Sequence, residues 1–246
     1  MTKILDFDIE ANDYLKDAST IWCMVGHLSD TKQWIIYHVD TEEAVTYPKN
    51  STRVSLEDFI GYFDTHTLSA YNGLGYDFPL LTRLCGWEYT TGGVIDPLIM
   101  SRLSYPDRAA HSIQYWGELF KMYKGDHNDF SKFSNEMLQY CVRDTAILIK
   151  AREFLEKEMD GWDWSQSLEL EKEIQYVQTK QELKGVLFDA TKAERLLDVI
   201  SEEIGEIETK VIEEIPMSYK DEGEVKKVFN KDGSYSLSVK NWLEVK

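Results

Sequence analysis

The sequence predicts an α/β fold: a mixed five-stranded sheet flanked by helices and followed by an α-helical C-terminal appendage. Three observations predict it. Strand-like runs crowd the first 40 residues, amphipathic helices and short strands then intermix up to about residue 157, and two long charged helices close the pattern.

Taken in order, "KILDFDIE" from Lys3 is the first strand, and "STIWCMVGHLS" and "QWIIYHV" form a hairpin across the turn-like "SDTK". "SLEDFIGYF" has Ser55 as N-cap and Leu56, Phe59, Ile60 and Phe63 at helical spacing. It is a crossover helix leading to the short strand "LSAYN" at Leu68. A helix carrying Leu80, Leu81 and Leu84 follows Asp77, "VID" at 94–96 is an edge strand, and "PLIMSRL" and "SIQYWGELF" are helices. Met137, Leu138, Cys141, Ala146, Ile147 and Leu148 mark one long buried helix over 135–157. "DGWDWSQS" reads as a linker, followed by helices over 166–184 and 191–214, with "KGVLFDAT" between them and a small hairpin or loop in "VFNKDGSYSLSVKNWL". The expected domains are 1–159 and 160–246.

Composition narrows the function. With 246 residues, 43% of them hydrophobic, the chain can bury a substantial core. The acidic start lacks the apolar stretch of a signal peptide, and no apolar run is long enough to span a bilayer, so a cytoplasmic protein with no membrane partner is expected. Cys23, Cys85 and Cys141 are too few and too widely spaced for a disulfide framework or a zinc site, and read as buried thiols. A net charge of −17 argues against a phosphate-neutralising surface, yet suits an enzyme whose acids hold cations where phosphate binds.

Three acidic positions carry the chemistry. Asp8 and Glu10 in "FDIEAN" are two apart on a strand, so both point to one face, where charge is costly unless compensated. Alone they could equally reach solvent at a strand end. Asp77 follows the glycine-loosened "YNGLGYDFPLL" and starts a helix with Pro79 in its first turn, which is also ordinary capping chemistry. Tyr140 and Asp144 in "YCVRD" share one helix face, a spacing that packing or solvation also explains.

Together, Asp-x-Glu on the first strand, Asn-x4-Asp at a strand-to-helix junction and Tyr-x3-Asp on a late helix resemble the DEDD superfamily of 3′ to 5′ exonucleases, in its tyrosine subclass. "FDIEAN", "YNGLGYDFPLLTRL", "IDPLIMSRL", "HSIQYWGELF" and "MLQYCVRDTAIL" follow in order the exonuclease domain of phage-type family A DNA polymerases, over residues 4–157. The spacing from Asn72 to Asp77 is the phage-type one, and the connection from Arg102 to His111 is short. "KQELKGVLFDATKAERLLDVI" is similar to the helices that open the polymerase domain, but nothing after residue 215 resembles the nucleotide-binding motifs.

The resemblance implies an RNase H-like version of the mixed five-stranded sheet. It implies a split or truncated proofreading chain that hydrolyses DNA from a single-stranded 3′ end and releases mononucleotides. Asp8, Glu10, Asp77 and Asp144 would hold two Mg²⁺ ions roughly 4 Å apart, replaceable by Mn²⁺. Tyr140 would orient the attacking water, since an ordinary phenol with a pKa of about 10 is a poor base at neutral pH. Ala11, Asn12 and Asn72 would hold the last nucleotides, and Tyr14 would either stack on the terminal base or pack in the core. A polymerase chain would dock on residues 160–246. The competing readings are an RNA-processing exonuclease, which would share every acid, and a non-catalytic DNA- or polymerase-binding subunit.

Overall fold

The computed structural model describes residues 2–123 and 127–214. The chain divides into two units, Met1–Val186 and Leu187–Lys246. The first holds a six-stranded sheet, β1 (Ile4–Ala11), β2 (Ile21–Leu28), β3 (Gln33–His38), β4 (Ser51–Arg53), β5 (Thr67–Ser69) and β6 (Val94–Ile95), in the order β4-β3-β2-β1-β5-β6. β1, β2 and β3 form an antiparallel meander, and β5 returns parallel to β1 after helix α1 (Leu56–Gly61). The mixed sheet expected with five strands thus has six. The additional strand, β4, adds parallel to β3 at an edge and is mostly exposed, so its sequence carries no apolar alternation.

Helices α2 (Asp77–Cys85), α3 (Pro97–Ser104), α4 (Ile113–Leu119), α5 (Asn135–Glu158) and α6 (Ser165–Lys184) complete the unit. Ser55, Ser112 and Ser134 cap α1, α4 and α5 by accepting the amides of Asp58, Tyr115 and Met137. The period-2 rule sorts β1 cleanly. Leu5, Phe7 and Ile9 enter one core cluster with Phe59, Phe63 and Phe78, while Asp6, Asp8 and Glu10 lie on the other face, the one met by α5. Gly26 lets α1 approach this sheet, because a Cβ there would stand 2.9 Å from the Phe59 ring and 2.7 Å from Leu5. A second cluster joins Cys23, Val25 and Ile36 to Met137, Leu138 and Cys141 of α5.

The boundary expected at 159/160 falls inside the first unit. Helix α6 packs there through Lys172 and Thr179, whereas the apolar stripe Leu170, Ile174 and Val177 is exposed. The second unit is described by helix α7 (Ala190–Glu214), whose first turn is capped by Asp189 accepting the Lys192 amide at 2.9 Å. Its apolar residues Leu197, Ile200, Ile204 and Ile207 are exposed. The tail read as a hairpin or loop lies outside the described residues. Of the cysteines, Cys23 and Cys141 are buried and Cys85 is half-buried. Among the described residues no helix is long and apolar enough to cross a membrane.

Candidate active site

A cavity of about 210 Å³ opens between β1 and α5. Asp8, Ile9 and Glu10 line it from β1, Tyr140, Asp144 and Leu148 from α5, and Tyr71 and Ile113 close its side. Two of the three acidic positions singled out in the sequence therefore meet across one cleft. β1 slips its register between Glu10 and Ala11, a bulge that ends regular pairing where the acids stand. Single oxygens of Asp8 and Glu10 and the Sγ of Cys141 lie within 4.8 Å of one another. The Cys141 thiol donates to the Asp8 carbonyl at 3.5 Å. Edge-on contact with Phe130, centroids 6.4 Å apart, flanks the Tyr140 ring.

Asp77 stands near this group, within reach of the Asp8 charge and the Ile9 amide. It is the first residue of α2 and not its cap, since Tyr76 holds the cap position without a side-chain bond. Released from capping, the carboxyl is buried, and burial and the neighbouring Asp8 charge hold it well above the ordinary carboxylate range. The amides of Asp77 itself and of Ile9 offset this in part, and Oδ1 is left buried with no hydrogen-bond partner. A buried carboxylate oxygen in that state, beside further carboxylates, fits a hard divalent cation with oxygen ligands. Asp8, Glu10, Asp77 and Asp144 are the residues that would hold it.

Asn72 and Asp77 sit at the two ends of one turn. Asn72 has φ 60°, the left-handed region, and its carbonyl accepts the amides of Gly75 and Tyr76. The Asn72 side chain lies over Gly75, where a Cβ would come within 2.5 Å of Oδ1, so glycine is required to keep that amide in place. Ala11 is buried at the bulge. Asn12 follows in the loop after β1. Its amide donates to the Thr20 carbonyl at 3.1 Å, and its Oδ1 accepts the amides of Ser19 and Thr20. Asn12 therefore clips its own loop. Tyr14 is 84% exposed, which removes core packing as its role and leaves the ring open for stacking.

Asp96 went unnoticed in "IDPLIMSRL", where it read as the end of a strand. Its Oδ1 accepts the amides of Asn72 and Leu98 at 3.0 Å each, and its Oδ2 that of Leu74 at 3.3 Å. Burial pushes its pKa up to about 6 against these four-sided amide contacts, which also include Ile99. An acid immediately before a proline-led helix looks like a cap, and this one is; the second duty, tying α3 to the Asn72 turn, has no local signal.

The raised pKa of Asp77 has a sign that can be tested. An acid whose pKa rises on folding adds stability that is complete below the ordinary carboxylate range and is lost as pH climbs through the raised value. A cation on the ionised group reverses this and must displace the proton. The Mg²⁺-induced rise in melting temperature is therefore expected to be larger at pH 8 than at pH 6. Equal rises at both would place the ions elsewhere on the acidic surface.

No family model matches the sequence, and no curated protein matches it. Solved structures do. Brucella melitensis NrnC with bound Mg²⁺ is 15% identical, with a TM-score of 0.54 over 77% of this chain and 92% of that one. Brucella melitensis NrnC bound to pGG is 14% identical, with a TM-score of 0.56 over 77% and 91%. A further NrnC structure is 13% identical, with a TM-score of 0.55 over 75% and 87%. In fold, an RNase H-like mixed sheet flanked by helices, this chain is similar to NrnC.

Proposed function

We propose that this chain is a metal-dependent 3′ to 5′ exonuclease acting on single-stranded ends. The observation that carries the reading is the meeting of Asp8, Glu10, Tyr140 and Asp144 on one cleft, with Asp77 held against β1 by the Ile9 amide. Divalent ions, Mg²⁺ in the first place and Mn²⁺ as a substitute, would supply polarisation of the phosphate and acidification of a bound water. A solved neighbour in fold carries Mg²⁺. The protein's own groups then have distinct tasks. The four carboxylates fix the cations, the Tyr140 hydroxyl orients the water for attack on phosphorus, and Asn72 holds the terminal nucleotide. Tyr14 offers a face on which a base of any identity can stack. The complete acidic set speaks against a subunit that only binds DNA or a polymerase.

Tyr140→Phe removes one hydroxyl and keeps the ring among its neighbours. It is expected to slow single-turnover cleavage by about 10- to 100-fold with little change in oligonucleotide binding measured in Ca²⁺. A large loss of affinity at an unchanged rate would assign Tyr140 to binding instead.

Two substrate settings follow from different observations. The resemblance in the sequence favours a DNA 3′ end and proofreading beside a polymerase chain. The fold neighbour bound to pGG favours short oligonucleotides, in line with RNA processing. Degradation of 5′-labelled DNA and RNA, at two and at twenty residues, with and without Mg²⁺, separates them. Activity on long DNA supports the first and activity confined to short RNA the second; Mg²⁺-independent or absent trimming of all four refutes the exonuclease reading.

A partner chain, in the proofreading setting, would dock within residues 160–246. What supports docking there is α7, where Leu197, Ile200, Ile204 and Ile207 present an exposed apolar seam among eight acids and three bases. Purified replication proteins from the native source are then expected to slow hydrogen exchange over 191–214. Unchanged exchange in their presence would remove the partner while leaving the nuclease.

A further inference from the structure

Helix α6 packs Leu168 against the core and meets the rest of its unit further along largely through polar groups. Lys172 and Thr179 are its buried residues, and each donates to a main-chain carbonyl outside the sheet: Lys172 Nζ to Thr91 at 2.9 Å and Thr179 Oγ1 to Leu74 at 3.1 Å. Gln175 Nε2, one turn back, donates to the same threonine hydroxyl at 3.2 Å. Tyr176 meets the Tyr89 ring edge-on, centroids 5.6 Å apart.

Leu74 is fully buried and lies in the turn between Asn72 and Asp77. Its amide is taken by Asp96 Oδ2 and its carbonyl by Thr179, so the peptide groups on its two sides are fixed from two different elements. Asp96 also holds the Asn72 amide. The turn carries the one acid of the site that does not come from β1 or α5.

We propose that Thr179 is a positioning residue for the metal centre: through the Leu74 carbonyl it sets the turn that places Asn72 and Asp77. This rests on the reading of Asp77 as a metal-holding residue. The physical basis is the cost of an orphaned buried carbonyl. Without the hydroxyl, Leu74 O has to shift toward another donor, and the short turn transmits that shift to Asp77, where a small misplacement weakens a cation site. Helix α6, which reads in the sequence as the beginning of a separate domain, is in this account part of the active centre.

The test is Mn²⁺ binding by calorimetry on the full chain, with melting temperature recorded for each variant. Thr179→Val is expected to weaken Mn²⁺ by about three- to tenfold, and Thr179→Ser, which restores the hydroxyl, to bind within about twofold of the wild type. Lys172→Met serves as the control, since it loosens α6 at Thr91 without touching the turn. It is expected to lower the melting temperature with Mn²⁺ affinity unchanged. Wild-type affinity in Thr179→Val, or equal weakening in Lys172→Met, overturns the proposal and reduces Thr179 to a fastening for α6. Asp77→Asn separates this from a failure of the underlying reading: if that variant binds Mn²⁺ as the wild type does, Asp77 is no ligand and both fall together.

Discussion

Asp8→Ala is expected to lower the proposed exonuclease activity by on the order of a thousandfold or more, while leaving the fold intact or firmer. The two halves of this expectation have one cause. Asp8 stands in the cleft beside Glu10 and is the charge that most strongly raises the Asp77 carboxyl. Deleting it would take a ligand oxygen from the proposed cations and, in the same stroke, relieve repulsion on the buried Asp77. In metal-free buffer the variant should therefore melt at or above the wild-type temperature. The rise produced by Mg²⁺ should shrink, and in the Asp8→Ala, Asp144→Ala double variant it should largely vanish. Retention of more than a few per cent of activity, with contaminating nuclease excluded, would falsify the metal-centred mechanism. A variant that is inactive but also unfolded would be uninformative by itself, which is why the melting curve belongs to the same experiment.

The acids were singled out as a set by the family resemblance, because strand and helix periods alone left each pair open to solvation, capping or packing. A spacing of two on β1 and of four on α5 fixes which side chains share a face, and the structure puts those faces opposite each other. What the periods do not encode is what a face meets. Asp6 has the same parity as Asp8 and Glu10, yet its partner, Arg152, lies 146 residues away and no local rule connects them. Thr179 was hidden for a related reason. Burial of Lys172 and Thr179 on α6 follows carbonyls that need donors, Thr91 O and Leu74 O, while the apolar residues Leu170, Ile174 and Val177 remain exposed. β4 was unreadable because an exposed edge strand of three residues has no apolar pattern. For Asp77 the sequence left two roles open, cation holding through the family resemblance and ordinary capping, since an acid followed by proline at a helix start looks like a cap. Only the geometry shows Tyr76 in that position.

Asp6 also explains how a strand can carry three acids on one face. It is completely buried, and Arg152 answers it with a bidentate fork, Nε to Oδ1 at 2.7 Å and Nη2 to Oδ2 at 3.0 Å, while Nη1 reaches Glu156 at 2.8 Å. The pair joins β1 to α5, the two elements whose acids face each other across the cleft. Arg152→Ala would leave a carboxylate in the core without its counter-charge, and the expected cost is about 3 to 5 kcal/mol in urea unfolding at pH 7. Truncating both partners to apolar groups of similar size, Asp6→Leu with Arg152→Met, should restore most of that loss, because the desolvation penalty disappears along with the attraction. The double variant also tests whether the pair serves chemistry. If its role is only to neutralise Asp6, the double variant trims oligonucleotides at close to the wild-type rate below its melting temperature. If the fork also sets the distance between β1 and α5, stability returns but the rate stays low, and the apparent Mg²⁺ requirement rises. A cost below about 1 kcal/mol for Arg152→Ala would contradict the burial of Asp6 itself, since only a carboxylate that can reach water tolerates losing its cation so cheaply.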